Sequence, residues 1–488
     1  MPVSEPPTSR IQFASRASGA LRTPWAGLVV AFCALLSFPA CGEGPTTPNG
    51  QTARDSAPDE KAQKPLSIIL MSLDTVRRDH VGFYGYERNT TPFLDELAER
   101  SLVFDNAYTT FSWTLVAHMS LMTGMYPSQH GVWREDAALA PSVPTLAERL
   151  HESGYYTMGF HDSRWLGERY GFARGYDVYS RHQGAPIAER HIELAMDERP
   201  KDKPFFMFIH LMDIHNAPLK PGGTMYEPPE PFNELFMLEP EKQLEGLDPE
   251  AAWARSDGIT PEQHEALVAL YDGGIRYVDT KVGEWVEQWW KAGLLDNTLL
   301  IITSDHGESL DQRGTGYGGH GFAFNEGLRV PLMIHFPGDA RGGERVAQPV
   351  SLVDILPTVL DGLDFEPDAR LPGYSLLDDG PEDRVIYAQQ PDRMEAFIRW
   401  PWKLLRPAGE NAHMLRLFNL EQDPEELEPL TRDDVGDSPF KRISRDLGQS
   451  VTSERNAWYQ PEEPNPDAGP LSPEAEAALK ALGYLGDG

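Results

Sequence analysis

At 488 residues the chain can hold one large α/β domain with a small appendage, or two or three ordinary domains. Acidic residues outnumber basic ones 75 to 43, for a net charge of −32, which argues against nucleic acid or anionic lipid as the main partner. The only cysteines, Cys33 and Cys41, both lie near the start, so the body of the chain has neither a disulfide nor a thiol nucleophile.

The chain opens on a polar leader with Arg10, Arg16 and Arg22, then an apolar run from Trp25 to Phe38, then Pro39-Ala40-Cys41. A positive start, a short apolar core and a small-residue cleavage site describe a secretory signal over residues 1–41. At roughly 14 residues the core is short for a membrane span, which needs about 20. Its Ala-Cys ending resembles a bacterial lipoprotein signal, in which Cys41 would carry lipid and become the mature N-terminus. The expectation is an exported protein of the bacterial cell envelope that meets the membrane only through that lipid. Residues 42–64, rich in Gly, Pro, Thr and charge, contain no large apolar side chain and read as a tether.

At Leu66 the texture changes to LSIILMSLDT, a short apolar run that reads as a buried parallel strand ending at Asp74. Thr91-Pro92 leads into a helix over FLDELAERS. Thr114 then stands just ahead of an apolar helical turn, where backbone N–H groups and the positive dipole end favour an anion. The segment TLAERLHESGYYTMGFHDS predicts a helix, a Gly stop at Gly154 and a strand. PFFMFIHLMDIH predicts another strand, which sets His210, Asp213 and His215 at its C-terminal end.

The acidic, Pro-rich stretch from Tyr226 to Gly258 reads as an inserted loop or lid. A long helix over Pro261–Lys291, with Tyr271, Ile275, Val278 and Val282 on one face, precedes the strand NTLLIITSDHGES, which delivers Asp305 and His306. The Gly-rich loop RGTGYGGHG presents His320, and VPLMIHFPG is a further strand. Beyond Pro381 short pieces around VIYAQQ, AFIRW and WKLLR predict a small antiparallel subdomain over residues 381–488, ending in a helix over LSPEAEAALKALGYLG; residues 65–380 form the catalytic domain.

In open α/β sheets ligands gather beyond the carboxyl ends of the strands, so these segments converge on Asp74, Thr114, Asp305, His306 and the histidines 210, 215 and 320. Two carboxylates and one imidazole form a mixed O/N set that suits a divalent transition ion, whereas all-oxygen sets suit Ca²⁺ or Mg²⁺. With the Thr114 hydroxyl as a further ligand, such an ion would make an alkoxide accessible near neutral pH. One ion, Zn²⁺ or Mn²⁺, is the expectation. Glu308 and Asp311 read either as groups that orient His306 or as solvated loop charges, and the solvated reading is the favoured one.

The pieces SLDTVRRDHVGFYGY, TLVAHMSLMTGMYPSQHGV, FFMFIHLMDIH, TSDHGES, GGHG and LFNLEQDPEE, in this order, resemble the sulfatase branch of the alkaline phosphatase superfamily over about Leu66 to Gly486. The resemblance implies an α/β fold with a doubly wound, mostly parallel sheet, helices on both faces and a small C-terminal antiparallel β subdomain. It also implies hydrolysis through a covalent intermediate. It makes Asp74, Asp305 and His306 metal ligands, Thr114 the nucleophile position, and His118 the residue standing where sulfatases carry an arginine. His215 and His320 fall where the family holds the ester's oxygens or leaving group; His210 and Arg164 are grouped with them as substrate-holding residues.

The departures shape the chemistry. Sulfatases carry Cys or Ser in Cys/Ser-x-Pro-x-Arg, converted to formylglycine, whereas this chain has Thr114, Val116 and His118, and threonine cannot give that aldehyde. Thr75 replaces a second metal-site aspartate, and His161-Asp162-Ser163-Arg164 stands where a sulfate-holding lysine is usual. A sulfo-threonine would need water to attack sulfur, whereas a phospho-threonine can be cleaved by activated water. The favoured reading is cleavage of a phosphate mono- or diester through Thr114. Sulfate ester hydrolysis without formylglycine, and a catalytically weak binder of an anionic glycan or lipid headgroup, are the alternatives.

Overall fold

The computed structural model describes residues 65–215, 225–247, 259–311, 313, 323–390, 394–407, 415–431, 434 and 441–446. The signal, the tether, Cys41, His320 and the helix expected over 471–486 lie outside these residues.

The strands run in chain order as β1 (Ser67–Leu73), β2 (Leu102–Phe104), β3 (Ala107–Tyr108), β4 (Tyr156–His161), β5 (Val178–Arg181), β6 (Phe205–Leu211), β7 (Thr298–Thr303), β8 (Arg329–Val330), β9 (Leu332–His335), β10 (Arg345–Val346) and β11 (Val350–Ser351). One eight-stranded sheet has the order β10-β2-β9-β7-β1-β6-β4-β5, and β3 joins β8 and β11 in a small second sheet. In the large sheet β9 runs antiparallel to both of its neighbours, and the other pairings are parallel.

The apolar runs form parallel strands because both faces of the sheet are covered. Along β1, Ile69, Met71 and Leu73 enter one core with the helices Pro92–Ala98, Ala185–Glu198 and Pro261–Lys291. Ile68 and Leu70 enter the opposite core with the helices Thr114–Thr123, Leu146–Glu152 and Ile355–Gly362. This is the doubly wound, mostly parallel α/β architecture with helices on both faces that the sequence predicts. The expected face of the long helix holds: Tyr271, Ile275, Val278 and Val282 are all buried.

The C-terminal part forms an antiparallel sheet of β12 (Ile386–Gln390), β13 (Met394–Arg399), β14 (Trp402–Pro407) and β15 (Arg416–Asn419). It is tied to the main body through a core in which Ile386, Ile398, Leu405 and Phe418 meet Tyr108, Phe324 and Leu328.

Candidate active site

Asp74 directly follows β1, Asp305 and His306 follow β7 by two and three residues, and His210 lies near the end of β6. All four side chains are sealed from solvent. Since β7, β1 and β6 are adjacent and parallel, their carboxyl ends deliver these groups to one point.

The fourth limb is the helix Thr114–Thr123. Thr114 is its first residue rather than its cap, a place taken by Trp113 with φ −160° and ψ 130°. The helix stops at Gly124, whose φ of +66° favours glycine and whose added Cβ would meet Leu356 Cβ at 3.1 Å. Ser72, on the β1 face that also carries Ile68 and Leu70, points at this helix. Its hydroxyl lies 3.0 Å from His118 Nε2.

Thr114 Oγ1 is 3.4 Å from His306 Nε2. His306 Nδ1 donates to the Gly307 carbonyl at 2.8 Å, which turns the Nε2 lone pair toward the carboxylates. Nε2 stands 3.5 Å from Asp305 Oδ2 and 3.9 Å from Asp74 Oδ1. Asp305 Oδ1 is engaged by the His306 N–H at 2.9 Å, but Asp305 Oδ2 and Asp74 Oδ1 are buried and have no hydrogen-bond partner. Ligand atoms of Asp74, Asp305 and His306 all lie within 4.8 Å of one another.

Two carboxylate oxygens and an imidazole lone pair facing one another in a dry pocket repel unless something positive joins them. The donor set therefore fits a divalent cation of the mixed O/N kind, with the Thr114 oxygen beside it.

His118, Asp305 and His210 form a second group of similar compactness. There, however, His118 Nδ1 donates to the Thr114 carbonyl at 2.8 Å and offers no lone pair at that atom. His210 Nε2 likewise donates to Asp74 Oδ2 at 3.0 Å. Burial keeps both rings neutral, lowering His118 to about 4 and His210 to about 3.

His118, expected beside the nucleophile, is indeed four residues on and in the same site, but both ring nitrogens are spent on Thr114 and Ser72. It holds the start of the helix rather than facing an ester. His215 is buried, close enough to His210 to depress its basicity. Arg164 sits in a 3-10 turn whose Trp165 packs edge to face on Trp113, at 4.9 Å between ring centroids. Asp213 accepts from the Ala185 N–H at 3.1 Å and so serves the start of the Ala185–Glu198 helix.

Glu308 corrects the sequence reading. It is fully buried, not solvated, and burial together with nearby Asp74 pushes its carboxyl well above the usual carboxylate range. Its loop turns inward because Gly307 lies against the chain at Glu326, where a Cβ would come within 1.8 Å of the Glu326 carbonyl oxygen. Asp311 is only partly buried.

Two supporting residues were not singled out from the sequence. Ser72 had a signal, since residues two apart on a strand share a face and Ser72 precedes Asp74 by two. Tyr271 had none beyond its helix face. Its hydroxyl donates to the Thr75 carbonyl at 2.6 Å and accepts from the Arg77 N–H at 3.0 Å. It thereby holds the turn after Asp74, in which Thr75 adopts φ +61°, a left-handed conformation that is costly for a β-branched residue.

Several known proteins are similar to this chain in sequence or fold. The family model described as Sulfatase matches residues 67–365. A choline-sulfatase of Rhizobium meliloti is 27% identical over 419 residues, covering 71% of this chain and 78% of that one. An arylsulfatase of Clostridium perfringens is 24% identical over 380 residues, covering 64% and 78%. Among solved structures, the phosphonate monoester hydrolase of Agrobacterium radiobacter superposes with a TM-score of 0.62 at 20% identity, covering 80% of this chain and 95% of that one.

Proposed function

Because the chain belongs to the sulfatase family of ester hydrolases, we propose that it cleaves phosphate mono- or diesters with the help of a divalent cation and a covalent intermediate on Thr114. The observation that carries this reading is the Thr114 hydroxyl at the first turn of its helix, 3.4 Å from His306 Nε2, which itself faces the unsatisfied Asp305 Oδ2 and Asp74 Oδ1. Zn²⁺ or Mn²⁺, one ion in all, is the cofactor this donor set favours. When bound by Asp74, Asp305, His306 and the Thr114 oxygen, it would lower the pKa of the hydroxyl and neutralise the ester's charge.

The protein's own groups do the rest. Thr114 stands at the N-terminal end of its helix, where the positive dipole end favours an incoming anion. The Thr114 oxygen forms a bond to phosphorus as the bond to the leaving alcohol breaks, and water then cleaves the phosphothreonine and restores the hydroxyl. His118 and Ser72 fix the helix start, and His210 fixes Asp74. His215, Arg164 and His320 hold the ester's oxygens or its leaving group.

The competing reading is hydrolysis of a sulfate ester without formylglycine, which the names of two relatives favour. Soluble chain lacking residues 1–41, analysed for metal and assayed on nitrophenyl phosphate, bis-nitrophenyl phosphate and nitrophenyl sulfate, separates the two. We expect phosphate ester turnover to exceed sulfate turnover, and Thr114→Ala to lower it on the order of 1,000-fold or more with an unchanged thermal melt. Sulfate as the better substrate, or a Thr114→Ala variant as active as the parent, would refute the proposal; no turnover on any ester would leave a binder of anionic headgroups.

We also place the protein outside the cytoplasm, held by lipid on Cys41 and acting on a small anionic ester, with no nucleic-acid partner. Among the described residues no helix is long and apolar enough to cross a membrane. Mass spectrometry of the mature N-terminus tests the anchor: an acylated Cys41 supports it, and an unmodified Cys41 or Met1 at the terminus overturns it.

A further inference from the structure

Lys403 in β14 and Glu426 are both fully buried and form an ion pair at 2.7 Å. A buried pair of this kind is a poor way to gain stability, because desolvation offsets much of its attraction, so its geometry asks for another reason. Lys403 Nζ also donates to Asn325 Oδ1 at 2.9 Å, and Glu426 Oε2 accepts from the Asn325 N–H at 2.6 Å. Asn325 Nδ2 donates to the Pro424 carbonyl at 3.0 Å. The C-terminal sheet and the turn after it therefore grip Asn325 from three sides.

Asn325 begins the short turn Asn325–Leu328, which lies directly on the metal-site loop. The Gly327 carbonyl accepts from the Gly307 N–H at 3.0 Å, and the Glu326 carbonyl occupies the space a Gly307 Cβ would need. Gly307 in turn supplies the carbonyl that takes His306 Nδ1–H and so aims Nε2. Arg313 reinforces the same turn by pairing with Glu326 at 2.7 Å and donating to the Glu426 carbonyl at 2.6 Å.

We infer that Lys403 and Glu426 are positioning residues for the imidazole limb of the metal site, acting through Asn325, the Glu326–Gly327 backbone and Gly307 on His306. On this view the C-terminal sheet is a working part of the hydrolase and not only a cover. The inference rests on the metal-site reading of Asp74, Asp305 and His306.

The test uses the full chain, purified in detergent, with Zn²⁺ affinity measured by competition against a chromogenic chelator. Lys403→Met combined with Glu426→Gln removes both charges without leaving one stranded, and Asn325→Ala keeps the pair and the backbone N–H bond to Glu426 but removes the side-chain bonds to Lys403 Nζ and the Pro424 carbonyl. Each is expected to weaken Zn²⁺ binding by about 10- to 100-fold, the size typical of groups that orient a ligand, with KM for nitrophenyl phosphate unchanged. Arg406→Gln, which breaks the Glu395–Arg406 pair at 2.5 Å in the same sheet, is the control and should bind Zn²⁺ as the parent does. Parental Zn²⁺ affinity in folded Asn325→Ala and in the folded double variant overturns the inference alone. A parent chain that binds neither Zn²⁺ nor Mn²⁺ overturns the metal-site reading as well.

Discussion

His210 donates its Nε2–H to Asp74 Oδ2 across 3.0 Å, with both side chains closed off from water. The bond fixes which oxygen of Asp74 is left over, and Oδ1 is the one turned toward His306. Groups that orient a ligand in this way typically govern metal affinity by about 10- to 100-fold. His210→Ala is therefore expected to weaken Zn²⁺ or Mn²⁺ binding by about that factor, while His210→Gln, which can keep a donor near Asp74, retains more of it. Equal affinity in parent and His210→Ala, measured by titration, would show that Asp74 orients itself.

The facing carboxylates also predict how the metal affects stability. An ion at 100 times its Kd contributes about 2.7 kcal/mol if it binds only the folded chain. Exhaustive chelation should lower the melting temperature by several degrees, and Zn²⁺ or Mn²⁺ should restore it better than Ca²⁺ does. A melt indifferent to chelation would count against an ion at Asp74, Asp305 and His306.

The turn after Asp74 depends on one phenol. Tyr271→Phe removes both the donor to the Thr75 carbonyl and the acceptor for the Arg77 N–H, leaving two buried backbone groups unpaired at about 1–3 kcal/mol each. We expect a loss of about 2 kcal/mol or more in urea unfolding, together with weaker metal binding as Thr75 leaves its left-handed conformation. An unchanged unfolding midpoint would mean that the turn holds itself.

A pH dependence follows from His130, away from the ligands. Its Nδ1 accepts from the Val132 N–H at 3.0 Å, its Nε2 lies 3.1 Å from Ser120 Oγ, and burial lowers its pKa to about 3. The unfolded chain, with an ordinary histidine near 6.5, binds the proton more tightly. The stability this ring lends is complete above pH 6.5 and drains away as pH falls toward 3, by about 1.4 kcal/mol per unit. His161 and His182, both lowered to about 4 by burial, add to the trend, and Asp213, raised to about 6 by burial, opposes it between pH 4 and 6. His130→Gln should flatten the slope of stability against pH by close to one proton; an identical slope in the two proteins would reject this account.

Asp74, Asp305 and His306 were legible as neighbours because strand periodicity and the rule for parallel sheets place strand ends together without any knowledge of side-chain contacts, whereas Thr114 is read from the helix start it stands at and from the family resemblance. The same logic gave the long helix and the C-terminal sheet. What periodicity cannot show is which way a loop folds back. Glu308 looks like any loop acid until Gly307 is seen pressed against Glu326, and His118 looks like a reactive group until Ser72 is found across the helix. Lys403 and Glu426 stand in WKLLR and LFNLEQDPEE, pieces that show a strand and a family likeness but no pairing, and only the tertiary fold brings them to Asn325.

The proposed ligands come from distant parts of the chain: Asp74 follows β1, Asp305 and His306 follow β7, and their meeting depends on β1 and β7 lying side by side. Asp305 and His306 are neighbours in the unfolded chain, but Asp74 joins them only once the two strands pair. Loading must await the finished sheet, so the ion is drawn from whichever compartment the polypeptide folds in, not the one in which it is made. If the leader does direct export, the metal supply that matters is the one on the far side of the membrane.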